Sequence, residues 1–138
     1  VPPYSNKIAR AILKEPKLYF FDSGLVNGDS GAVFENMVAV SLLKSLCFQQ
    51  DVSGQNISLA YLRTKDGEEV DFALVKNQQV VEMIETKLSD ESPAKVLKKF
   101  QNLYGYAASQ VVLNLRHSFQ KENIQIKDAQ YFLKNISI

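Results

Sequence analysis

A chain of 138 residues, 46% hydrophobic and 22% charged, is long enough to bury one core and has the composition of a soluble globular domain. Its formal net charge of +1 supplies no overall attraction to nucleic acid or to an anionic membrane, so such contacts would need a local patch. One cysteine and one histidine exclude an internal disulfide and a Cys/His zinc site, and no uninterrupted apolar run approaches the roughly 20 residues of a bilayer span, so a cytoplasmic domain without a membrane partner is expected.

The opening Val1-Pro2-Pro3-Tyr4 has neither an initiator Met nor a charged and apolar leader, and leads us to expect a fragment cut at a domain boundary. Residues 1–17 are basic, with Lys7, Arg10, Lys14 and Lys17; Ile8, Ala9, Ile12 and Leu13 have helical spacing, which Pro16 ends. Leu18-Tyr19-Phe20-Phe21 predicts a short aromatic strand or extended segment, suited to packing rather than to stacking bases. A loop from Asp22-Ser23-Gly24 to Gly31 follows. Residues 32–47 predict a central helix, because Val33, Phe34, Met37, Val38, Val40, Leu42, Leu43 and Leu46 cover more than one face. Asp29 or Ser30 is its expected cap, and Cys47 its packed end.

Three strands are expected next, over 58–63, 69–75 and 79–88. The turns between them, Lys65-Asp66-Gly67 and Asn77-Gln78, are short enough to require an antiparallel meander. Ser92-Pro93 reads as a cap with a first-turn proline, opening a helix through Val96, Leu97, Phe100, Leu103 and Tyr104. Residues 110–115 predict a buried fourth strand, free to run parallel to a neighbour because a helix precedes it. Ile124-Gln125-Ile126 is a brief fifth strand, and Asp128 caps a last helix carrying Ala129, Phe132 and Leu133. The α-β-β-β-α-β order with its β-α end predicts an α/β fold, a mixed sheet flanked by helices.

Four residues stand out chemically. Glu35 is the only ionisable group between Asp29 and Lys44, so it is expected half-buried, with a cation, a cap, a metal or the helix dipole as its partner. Asp71 interrupts the strand Val70-Asp71-Phe72-Ala73-Leu74; period two groups it with Glu69 and Ala73, opposite Val70, Phe72 and Leu74, on a face that is either solvated or functional. Glu85 and Lys87 are two apart on the next strand and share a face with Val81 and Met83, as a strand-end ion pair or as the wall of a polar cleft. Asp71 and Glu85 lie on strands joined by a tight turn, so their carboxylates converge if the register allows. Converging carboxylates repel and call for a cation, for which Mg²⁺ or Mn²⁺ is the natural choice among oxygen donors. A metal there and Lys87 beside it outline phosphodiester hydrolysis.

An acid on the first helix (Glu35), Val70-Asp71 on the second strand and Glu85-Thr86-Lys87 on the third resemble the PD-(D/E)XK nuclease superfamily, of restriction-endonuclease-like fold. The resemblance implies that Asp71 and Glu85 bind metal, Lys87 serves catalysis and Glu35 is an auxiliary acid. Pro3-Tyr4-Ser5-Asn6, Lys14-Glu15-Pro16-Lys17-Leu18-Tyr19-Phe20-Phe21-Asp22-Ser23-Gly24-Leu25, Gly31-Ala32-Val33-Phe34-Glu35-Asn36 and Tyr61-Leu62-Arg63-Thr64-Lys65-Asp66-Gly67-Glu68-Glu69-Val70-Asp71-Phe72 are similar to the C-terminal domain of a large family of prokaryotic AAA+-type ATPases, a domain of unknown function usually placed in that superfamily. This implies a parent with an upstream ATPase domain and a winged-helix-like linker, with 1–17 the tail of that linker and 18–138 the nuclease-like domain. Val70 stands where the motif nominally has Pro, and Gln101 lacks a Tyr four residues on, so the Gln-x-x-x-Tyr element of one nuclease branch is missing. The glycines at 24, 28 and 31 lack the following Lys of a phosphate-binding loop, so ATP hydrolysis is not expected here.

Arg63 and Lys65, beside the Asp71 strand, are candidate phosphate contacts for DNA or RNA; Lys95, Lys98, Lys99, Lys121 and Lys127 fit a solvated face better, and His117 a surface position. The alternative to a nuclease is a non-catalytic recognition or regulatory domain that docks a partner or the ATPase domain.

Overall fold

The computed structural model describes residues 1–4, 17–20 and 28–136. The expected helix around Ile8 to Leu13, its basic residues Lys7, Arg10 and Lys14, Phe21 and the loop residues 22–27 lie outside the described residues.

Asp29 caps the first described helix, α1 (Ser30–Ser53), by accepting from the Ala32 N–H, and Gly54 closes it in the left-handed conformation. The helix runs six residues past the expected end, and Cys47 is exposed, since the apolar set turns away from it to Leu42 and Leu46. By length and composition alone α1 is apolar enough to cross a bilayer, although Glu35, Asn36 and Lys44 interrupt it. Its Phe34, Val38, Ala39, Leu42 and Leu46 pack on the sheet.

The meander is as expected: β1 (Ile57–Arg63), β2 (Glu69–Lys76) and β3 (Gln79–Lys87) pair antiparallel. Asn77 and Gln78 both take positive φ in the two-residue turn between β2 and β3. Helix α2 (Lys95–Tyr104) carries the chain across to β4 (Ala108–Val112), which runs parallel to β3. β5 (Phe119–Lys121) and β6 (Ile124–Asp128) form a hairpin whose β6 lies parallel to β4. Asp128 caps the last helix, α3 (Ala129–Lys134), by accepting from the Tyr131 N–H. The result is a mixed six-stranded sheet in the order β1-β2-β3-β4-β6-β5, flanked by helices.

Both faces are covered. Phe72, Leu74, Ile84 and Val111 meet α1 and α3 on one side. Val70, Ala73, Val75, Met83, Ile124 and Ile126 meet Leu97 and Phe100 of α2 on the other. The start of α2 differs from the expected Ser92-Pro93 cap: the helix begins two residues later, its N-cap Ala94 has no capping side chain, and Gln110 of β4 supplies the acceptor for the Ala94 N–H. The β5 strand was not expected, because three exposed residues with no apolar alternation carry no strand signal.

Candidate functional site

Two β-bulges re-aim the residues between β1 and β3. Ala60 pairs with Ala73 and Leu62 with Val70, so β2 holds one extra residue there, and strict alternation ends. Val70 therefore packs with Ala73 and Val75, while Phe72 and Leu74 join the opposite cluster, correcting the grouping expected from period two. A second irregularity falls where Leu74 pairs with Glu82 and Val75 with Val80. It leaves Val81 exposed and parts it from Met83, with which it was expected to share a face.

The recorded β2–β3 pairing stops at Phe72 and Ile84, while β3 continues beside β4 as far as Lys87 and Val112. At this splay side chains replace the ladder. The Asp71 N–H donates to Glu85 Oε1 at 3.1 Å. Asp71 Oδ2 in turn accepts from the Thr86 N–H at 2.9 Å and from Thr86 Oγ1 at 2.8 Å. The Asp71 and Glu85 carboxyls also share a hydrogen bond, and Glu35 reaches Asp71 from α1. Thus Glu35, Asp71 and Glu85 come together. Lys87, half-buried on the same strand, acts on Glu85 through its charge.

Residues 17–20 lie against α1. The Phe20 N–H donates to Asn36 Oδ1 at 2.8 Å, and Asn36 Nδ2 donates to the Phe20 carbonyl at 2.7 Å. Tyr19 packs its ring 5.7 Å from that of Phe72 and donates its hydroxyl to Glu35 Oε2 at 2.6 Å. Lys17 then places its ammonium 3.6 Å from Glu35, 3.6 Å from Glu69 and 3.8 Å from Asp71, and 5.2 Å from the centre of the Tyr61 ring. Glu69 also pairs with Arg63 at 3.8 Å.

The charges in this volume are unequal. Burial opposes the Asp71 carboxylate, but hydrogen bonds from Glu85, the Thr86 N–H and Glu35, together with the Lys17 charge, outweigh it and hold Asp71 below its usual range. Burial and then the Asp71 charge push Glu85 up to about 9. Burial and the Asp71 charge also raise Glu35, against the pull of Tyr19 and Lys17. At neutral pH Asp71 is the anion, Glu85 keeps a proton, and Lys17 supplies the positive charge.

The donor set suits a hard divalent cation in kind, being carboxyl oxygen throughout. In this packing, however, no group of three or more His, Cys, Asp or Glu side chains is disposed to hold a metal ion among the described residues. The carboxyls are turned toward one another, Lys17, Tyr19 and Thr86 instead. Sequence reasoning missed Lys17, Tyr19 and Thr86 as members of the cluster. Lys17 reads as one more charge in a basic tail, and only the tertiary fold brings it to Asp71.

The other basic candidates are mostly paired. Lys98 meets Glu122 at 3.1 Å, Lys99 meets Glu68 at 3.0 Å, and Lys127 meets Glu82 at 3.9 Å. Arg63, Lys65 and His117 are exposed, and Gln101 spans from α2 to the Tyr106 and Asn123 carbonyls.

Residues 30–134 match a family model described as Domain of unknown function (DUF4143). No curated protein and no solved structure matches the chain.

Proposed function

The chain belongs to the DUF4143 family, and we propose that it is a PD-(D/E)XK nuclease-like domain of restriction-endonuclease-like fold, carried by a prokaryotic AAA+-type ATPase. One observation carries the reading: Asp71 and Glu85 meet where β2 and β3 splay, with Glu35 on one side and Lys87 on the same strand as Glu85. In that role Asp71 and Glu85 hold Mg²⁺ or Mn²⁺, which when bound polarises a phosphoryl oxygen and acidifies water. Thr86 fixes the rotamer of Asp71 through two hydrogen bonds. Glu35 serves as an auxiliary acid held by Tyr19. Lys87 stabilises phosphate charge and orients the attacking water. Arg63 and Lys65, exposed at the end of β1 and in the turn after it, would meet a DNA or RNA backbone in this reading.

The test is cleavage of single- and double-stranded DNA and RNA with Mn²⁺ or Mg²⁺ by the wild type, Asp71→Ala and Glu85→Ala. Cleavage by the wild type that both variants lose, by at least about a hundredfold, supports the reading. Cleavage unchanged in both variants overturns it. A second reading, a non-catalytic recognition or regulatory domain acting on the parent ATPase, is favoured by one feature: Lys17 and a retained proton already neutralise the cluster.

A further inference from the structure

The lysine ammonium at the centre of the cluster is not an ordinary surface ion pair. Its three carboxylate distances, 3.6, 3.6 and 3.8 Å, are nearly equal and each exceeds hydrogen-bonding range, so Lys17 belongs to no single partner. It sits among the acids as a shared cation. Its side chain is mostly shielded from water, with 19% of its surface exposed, and it passes over the Tyr61 ring. Its backbone is fixed nearby by the paired hydrogen bonds between Phe20 and the buried Asn36 and by the Tyr19 hydroxyl on Glu35.

Those contacts serve position. Leu18, next to Lys17, is 87% exposed, so the segment is held by the Tyr19 ring against Phe72 and by these hydrogen bonds rather than by Leu18. Two of its anchors, Asn36 and Glu35, are adjacent residues of α1, and the segment ends with its charge aimed at Asp71.

We propose that Lys17 is a built-in competitor for a divalent cation: its ammonium, held among Glu35, Glu69 and Asp71, claims the Asp71 carboxylate that Asp71 and Glu85 together would offer the metal, and metal enters only as Lys17 leaves. The proposal rests on the metal-dependent reading above and adds its regulation. A single tethered charge satisfies Glu35, Glu69 and Asp71 without preorganising them as ligands. An ammonium and a divalent ion in one small volume repel, so the two occupants exclude each other. The device makes metal affinity depend on whatever positions residues 17–20.

The experiment is calorimetric titration of Mn²⁺ into the full chain as wild type, Lys17→Met, Lys17→Gln, and Lys17→Met combined with Asp71→Asn. Met keeps the apolar stem over Tyr61 and Gln keeps a polar end, so one serves if the other fails to fold. Either single variant is expected to bind Mn²⁺ at least about tenfold more tightly than the wild type, and Asp71→Asn to erase the gain. Mn²⁺ should raise the melting temperature of the single variants more than that of the wild type. Equal affinity in wild type and variants overturns the competition and leaves the metal site standing. Folded single variants that bind no Mn²⁺ overturn both the competition and the metal-dependent reading.

Discussion

Asp71 and Glu85 divide one proton and one negative charge between them, and this has a consequence for stability. Glu85 is ionised in the unfolded chain above its ordinary value of 4.5 but keeps its proton in the folded state up to about 9. Between those values the folded state binds more protons, so stability falls as pH rises across the window and levels off above it. Glu35, raised by the same burial and the same neighbour, adds to the fall, whereas the lowered Asp71 acts only below its ordinary 3.8. Urea unfolding of the wild type is expected to lose at least about 1.4 kcal/mol between about pH 5 and about pH 8, the equivalent of one pKa unit. Glu85→Gln should remove most of that slope, because its amide is neutral throughout; an unchanged slope would show that Glu85 is not the proton holder. The four acidic and basic candidates were legible because a carboxylate inside an apolar helix or strand is conspicuous. Lys17 was not, since nothing in the sequence around it distinguishes it from Lys7 or Lys14.

Strand and helix existence followed from periodicity and turn residues, but the faces of β2 and β3 did not. A one-residue bulge is silent in a pattern of Val, Phe, Ala and Leu, all of which suit either side of a doubly covered sheet. The helix α2 shows the same limit. Ser92-Pro93 is an adequate local start signal, yet a residue distant in sequence decides the boundary. Gln110, fully buried, accepts from the Ala94 N–H and donates to the Asp90 and Ser92 carbonyls, so one amide closes the whole connection from β3 to α2. Gln110→Ala leaves those three groups without their partner and is expected to cost about 2–4 kcal/mol by denaturant unfolding. At the other end of α2, Gly105 has φ +72° with open space around its missing Cβ. Gly105→Ala is therefore penalised by backbone conformation alone, about 1–2 kcal/mol in the same measurement, with no repacking to confuse the result.

At the scale of the molecule, the sheet is sandwiched between α1 with α3 and α2, and the cluster sits where the sheet opens beside α1. Leu42, fully buried in the centre of α1, touches the side of the core on which Glu35 is mounted. Leu42→Ala is expected to cost about 2–5 kcal/mol in global unfolding. The order of elements and the antiparallel meander could be read from the sequence, because tight turns and capping residues are local chemistry. The β5–β6 hairpin could not, since Glu122 and Asn123 take positive φ without a glycine and β5 is wholly exposed.

The sheet's first rim has a second guard. Tyr61 stands opposite the β2 bulge, where its N–H donates to the Pro2 carbonyl and its carbonyl accepts from the Tyr4 N–H, so residues 2–4 consume hydrogen-bonding valences of β1 that would otherwise point outward. Pro3, lacking an N–H, presents no donor of its own to a newcomer. The far rim is only three residues of β5. Among the described residues the Tyr61 position of this rim is thus closed to a neighbour's strand, and that protection depends on residues 2–4, outside the family-matched region. A chain shortened by residues 1–4 should self-associate, visible as a rise in scattered light with concentration, before it loses any of its fold.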